Sequence, residues 1–157
     1  MLKVTETILE DWGKEAVAMI QDNIDSMPVT KYGAMRASGK TGAAVRYEVT
    51  PDGLKIYGPG HIFVLQTGRK PGAFPNITAI RQWIDDKPII PRDNISKNSL
   101  AFLIARSIAN KGTLLHQLGG QSGILSNVIN QESIDKLKAS LFLELKTVVR
   151  STLLQTA

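Results

Sequence analysis

The stretch with the most chemical promise is Gly33-Ala34-Met35-Arg36-Ala37-Ser38-Gly39-Lys40-Thr41, which is close to a phosphate-binding loop. Such a loop places four residues between its first glycine and Gly-Lys-Thr, and here there are five. It must also open a helix whose N-terminus holds the phosphate, whereas Ala44–Thr50 alternates as a strand does. Nucleotide hydrolysis is therefore not expected. Asp85 and Asp86 are adjacent, so on a helix they do not face one another, and they read as solvated helix-end charges rather than an acid/base pair. Neither His61 nor His116 stands at a recognisable spacing from a serine or carboxylate, which leaves triad chemistry without support. With no cysteine in the chain and only these two histidines as soft ligands, disulfides, thiolate catalysis and a metal site are not expected. No cofactor follows from the residues either, and the chain reads as a protein without catalytic activity.

Two basic pairs remain. Arg36 with Lys40, and Arg69 with Lys70, sit on glycine-rich stretches where mobile cations can meet a phosphate backbone without reading bases. No helix-turn-helix pattern, zinc finger or aromatic stacking platform accompanies them, so sequence-specific recognition is not expected. Charge is unevenly spread: residues 1–29 carry −4, residues 30–120 carry +8 and residues 121–157 carry +1, for a total of +5. A basic middle favours a polyanion or an acidic neighbour, and its bland reading is a solvated surface.

The elements that position these residues follow from periodicity. The length of 157 residues, with 43% hydrophobic and 21% charged residues, suits one globular domain over 1–157. From Thr5 to Met27, Ile8, Trp12, Ala16, Met19, Ile20 and Ile24 recur at three and four positions between acidic residues, predicting an amphipathic helix. Pro28–Gly42 breaks that pattern as a loop. Val45, Tyr47 and Val49 then alternate with Arg46, Glu48 and Thr50, and Thr50-Pro51-Asp52-Gly53 is a turn leading into a second strand at Leu54–Tyr57. A β-hairpin over about 44–57 is thus predicted.

His61–Gln66 is too short for periodicity to choose between strand and helical turn. Asn76 caps a short helix carrying Ile77, Ile80, Trp83 and Ile84, closed by Pro88 and Pro91. A further helix runs from Ser96 or Asn98 to Lys111, with Leu100, Leu103, Ile104 and Ile108 inward and Gly112 at a left-handed C-cap. The last helix spans Glu132 to about Leu154, with Ile134, Leu137, Leu141, Leu145 and Val148 at near-heptad spacing. Phe142, Leu143, Val149 and Leu153 widen that stripe beyond what one core covers.

Between these helices, Thr113–Gln131 mixes Leu114, Leu115, Leu118, Ile124, Leu125, Val128 and Ile129 with Gly119, Gly120 and Gly123. Long structureless segments are uncommon in compact domains. Either short helical turns cover the core here, or an arm orders on a neighbouring subunit; the arm is the reading preferred, with Leu114, Leu115, Leu118, Ile124 and Leu125 as its subunit contacts. The fold class expected is α+β, a small antiparallel sheet packed against N-terminal, central and C-terminal helices with long glycine-containing loops.

Thr41-Gly42 with Arg46 leading into a hairpin, followed by Val64-Leu65-Gln66-Thr67-Gly68-Arg69, resembles the tail-completion, or head-tail joining, proteins of tailed bacteriophages. In that family a Thr-Gly-x-Leu-Arg type segment precedes the hairpin, and an aromatic-Ala pair and Glu-aromatic-Gly follow it. Here His61-Ile62 stands in place of the aromatic-Ala pair, Gln66 in place of the acid, and Thr41 to Arg46 is one residue wider. The run from Ile80-Arg81-Gln82-Trp83-Ile84 through Leu100–Ile108 to Gly112-Thr113 is also similar to phage neck proteins, so the resemblance covers residues 40–113. It implies a subunit of a homo-oligomeric ring between portal and tail, in contact with portal and other neck or tail proteins and enclosing the DNA channel. The basic loops Lys31–Gly42 and Thr67–Gly72 would face that channel, in nonspecific contact with genomic double-stranded DNA, or an acidic partner. The rival reading is a sequence-nonspecific nucleic-acid-binding protein. No apolar run reaches the roughly 18 to 20 residues that cross a bilayer, and the start reaches an acid by Glu6, unlike a signal peptide. Synthesis in a host cytoplasm and residence in the virion are the corresponding expectations.

Overall fold

The computed structural model describes residues 3–30 and 33–155. The N-terminal helix α1 spans Lys3–Ser26. Its buried side is Leu9, Gly13, Ala16, Val17, Ile20 and Ile24. The stripe is rotated by about one residue from the expected one, so Ile8 and Trp12 are half-buried and Met19 faces outward. The cause is the hairpin that α1 covers. A β-carbon at Gly13 would lie 2.6 Å from Tyr47 Cδ2 and 2.9 Å from Leu54 Cδ1, so only glycine lets the helix come this close to the sheet.

After α1 the chain is not simply a loop. Strands β1 (Pro28–Thr30) and β2 (Gly33–Ala34) pair antiparallel, and a single helical turn, α2 (Lys40–Ala43), follows. Strands β3 (Arg46–Thr50) and β4 (Gly53–Tyr57) form the expected hairpin in the register Tyr47↔Ile56 and Val49↔Leu54. Val45, just before β3, and Tyr47 point to α1. On the opposite face Arg46 lies over the Tyr57 ring at 4.8 Å, and Glu48 stands across from Lys55. The hydrogen bond to Glu48 is the largest influence raising the Tyr57 phenol above its ordinary pKa.

The undecided segment after the hairpin is helix α3 (Ile62–Thr67). Helix α4 (Ile77–Asp86) is capped by Asn76, whose Oδ1 accepts from Ala79 N at 3.2 Å. Helix α5 (Lys97–Lys111) is capped by Ser96, whose Oγ accepts from Ser99 N at 3.1 Å. These two helices pack mainly on each other, through Ile84, Ala101 and Ala105. The buried line of α5 is therefore its alanines, which let the axes approach, while Leu103 is exposed and Leu100, Ile104 and Ile108 are half-buried. Gly112 has the positive φ expected, +77°, with ψ at 179°, so the chain leaves α5 extended instead of in a left-handed helical turn. Helix α6 (Leu114–Gln117) and the 25-residue helix α7 (Gln131–Gln155) complete an α+β fold.

The main core joins Ala16, Val17, Ile20 and Ile24 of α1 to Val45, Ile62, Ile124 and Val128, with Trp12, Met35, Tyr47, Ile56, Leu65 and Leu125 around it. Two of those core residues, Ile124 and Val128, come from the segment expected to be an arm. Ile124 has no exposed surface at all.

Candidate functional site

The 113–131 segment is fastened to its own chain, which corrects the arm reading. Gln66, buried at the end of α3, makes the fastening with both ends of its amide. Its Oε1 accepts from Leu125 N at 2.7 Å, while its Nε2 donates to Ser126 Oγ at 3.1 Å and to Gln121 Oε1 at 3.4 Å. Its backbone carbonyl accepts from Ser122 N at 2.9 Å, and Asn23 of α1 donates to the Ile124 carbonyl at 3.1 Å. A fully buried Ile contributes about 1.5–3 kcal/mol to folding. Ile124 and Leu115 are thus core residues, and Leu125 packs against the core. Of the five leucines and isoleucines expected at subunit contacts, only Leu114 and Leu118 are on the surface, with Leu118 66% exposed. Deleting 113–131 would remove core, not a detachable contact.

The four basic loop residues have different anchors. Arg36 Nη1 donates to Asp25 Oδ2 at 2.9 Å, tying the first loop to the end of α1. Arg69 is half-buried and structural: Nη2 donates to the Ala73 carbonyl at 2.8 Å, and its backbone exchanges hydrogen bonds with Thr113. Lys40 and Lys70 are exposed and enter no ion pair among the described residues. The expected contact loop Lys31–Gly42 lies partly outside the described residues, at Lys31 and Tyr32.

The loop resembling a phosphate site does not open the helix that chemistry needs, since α2 is one turn long and β3 follows it. It does supply a partner that spacing had not suggested. Thr41 Oγ1 and His61 Nε2 are 2.8 Å apart, linking α2 to the start of α3. Among the described residues nothing bonds to the other ring nitrogen, so no third group orients the imidazole as a relay requires. Asp85 is likewise not a bare helix-end charge. It is paired with Lys97, and Arg81 Nε lies 3.3 Å from its other oxygen, which clasps α4 to α5.

Two surface features were not legible as local motifs. The first is α7, which among its described side chains has none fully buried and leaves Phe142, Leu143, Leu145, Val149, Leu153 and Leu154 exposed, Phe142 at 72%. The heptad-like spacing carried the signal, but how much of that stripe α1 covers is a tertiary matter. The second is charge. Residues 69–111 hold eight basic and three acidic side chains, a net +5, leaving eleven of each elsewhere. The whole formal charge of the chain thus sits on the α4–α5 hairpin and the segment leading into it. Against known proteins, no protein-family model, no curated protein and no solved structure matches the chain.

Proposed function

We propose that this protein is a non-catalytic structural subunit of a tailed bacteriophage, forming a homo-oligomeric ring at the head-tail junction that joins portal to tail around the DNA channel. The observation that carries the assembly reading is α7. A helix of 25 residues is roughly 37 Å long at 1.5 Å per residue, and here it keeps its outer face of Phe142, Leu145, Val149 and Leu153 in solvent. The exposed apolar residues run from Phe142 to Leu154, about half of the helix, and a contiguous stripe of this kind is a surface for another chain. The virion setting rests on the resemblance of residues 40–113 to tail-completion and neck proteins.

The rival, nonspecific nucleic-acid binding, draws on the +5 segment at 69–111. Immunogold labelling of particles from cells carrying the gene separates the two readings. The ring reading expects label at the head-tail junction, and heads and tails that stay unjoined when the chain carries Phe142→Glu with Val149→Glu. Particles lacking the chain altogether would overturn it.

A further inference from the structure

The charge that separates the α4–α5 hairpin from the rest of the chain has a counterpart on α1. That helix carries six acidic and two basic residues, a net −4. Asp11, Glu15, Asp22 and Asp25 follow one another at four, seven and three positions, so they line one exposed face together with Ala18. Of these only Asp25 is engaged in an ion pair among the described residues, with Arg36. Beside this face runs an open groove lined by Ala18, Met19, Asp22, Asn23, Asn127 and Val128. Met19 is half-exposed at its edge. It is a slot of mixed polarity with one carboxylate, Asp22, in its lining, and exposed Glu15 stands one helical turn before Met19 at its edge.

The hairpin presents the inverse. Segment 69–74 runs antiparallel along α5 and is tied to it in three places. The Arg69 backbone bonds to the backbone and hydroxyl of Thr113 just past the helix, Gly72 N donates to the Ala109 carbonyl at 2.8 Å, and the Phe74 ring lies tilted at 39° against Phe102 with centroids 5.6 Å apart. That path sets Lys70 near the end of α5 and Phe74 beside Phe102, with Arg106 one turn on from Phe102. Both rings are half-exposed and both cations are exposed. An aromatic pair flanked by two cations is thus displayed on the surface. Neither α4 nor α5 is a main packing partner of α1 in the same chain, whose neighbours are β2, β3, β4, α2 and α7.

We infer that the Phe74–Phe102 edge of one copy, with Lys70 and Arg106, docks into the α1 groove of the next copy, against Met19 and the carboxylates of Glu15 and Asp22. The contact is heterologous, hairpin to α1, so its repetition closes a ring or extends a filament. Met19 supplies a polarizable thioether for the rings, and the opposed charges set orientation and association rate. A nucleic-acid duplex would neutralise the cations yet leave the two rings in water, which is why a second copy is the partner these residues fit. The inference rests on the assembly reading given above and names the contact that builds the ring.

The test is sedimentation of the full chain at low and high salt, with two charge-reversed variants, Lys70→Glu/Arg106→Glu and Glu15→Lys/Asp22→Lys. All four positions are exposed, and circular dichroism checks that both variants keep the wild-type fold. Wild type is expected to self-associate more weakly as salt rises. Each variant alone should associate at least roughly tenfold more weakly. An equimolar mixture should recover association, because each variant's hairpin then meets an α1 of opposite charge. A mixture that stays dissociated, or a variant that associates like wild type, overturns the contact. So does a wild type that is monomeric at every concentration, while immunogold labelling decides the ring reading separately. Loss of association in the α7 variant alone would leave the ring standing and refute this contact. Binding of a labelled oligonucleotide that Lys70→Glu/Arg106→Glu abolishes, with self-association untouched, makes the surface a nucleic-acid site instead.

Discussion

The side-chain oxygen of Gln66 accepts the backbone N–H of Leu125 across 59 residues of sequence, at 2.7 Å and out of contact with most solvent. This one amide holds the last turn of α3 to the segment that delivers Ile124 and Val128 to the core. Gln66→Leu keeps the volume and removes the acceptor, leaving the Leu125 N–H and Ser126 hydroxyl without their partner. Stability should fall by about 1–3 kcal/mol, the usual consequence of stranding a buried polar group. Urea unfolding measures it, and amide exchange should rise first in residues 121–128.

Gly13 lets α1 meet the hairpin at Tyr47. Alanine gains up to about 1 kcal/mol of helix propensity over glycine in a helix interior. Its β-carbon, however, would lie 2.6 Å from the Tyr47 ring and 2.9 Å from Leu54. Overpacking of this kind costs about 1–3 kcal/mol. Gly13→Ala should therefore be destabilising on balance, and Gly13→Val more so because valine adds bulk without alanine's propensity. A Gly13→Ala chain that melts above wild type would show that Tyr47 swings aside freely.

Asp85 is held below the ordinary carboxylate range, chiefly by the hydrogen bond from Lys97; burial, the next largest influence, opposes it, and the Lys97 and Arg81 charges add smaller lowering effects. A depressed folded-state pKa contributes stability above the unfolded value and loses it as pH falls through the folded one. The clasp is thus intact at neutral pH and opens only in acid, below the usual carboxylate range. A carboxyl titration followed by NMR should place the Asp85 midpoint low and move it upward in Lys97→Met. Equal midpoints in the two proteins would mean the pair does not hold in solution.

On α7, Phe142→Glu with Val149→Glu should leave unfolding of the isolated chain within about 0.5 kcal/mol of wild type, since both positions are exposed. Association with other subunits should be lost. A large drop in stability without any change in association would identify this face as part of the chain's own fold.

Local signals in the sequence determined most of the elements. The Thr50–Gly53 turn and its flanking alternation define the hairpin, Asn76 and Ser96 cap α4 and α5, and the apolar periods mark α1 and α7, because each is decided by neighbours within a few residues. The α+β class follows from those same local patterns. Tertiary structure alone decided where the apolar residues go. Thr113–Gln131 has the composition of either an arm or a core lining, and only the polar pocket offered by Gln66 and Asn23 makes it the latter. The Thr41–His61 pair and the Lys97–Asp85 clasp join residues 20 and 12 positions apart, spacings that no helical or strand period brings together. The segregation of charge onto the α4–α5 hairpin could be counted in the sequence, but whether α1 neutralises it within the chain depends on which helices pack together.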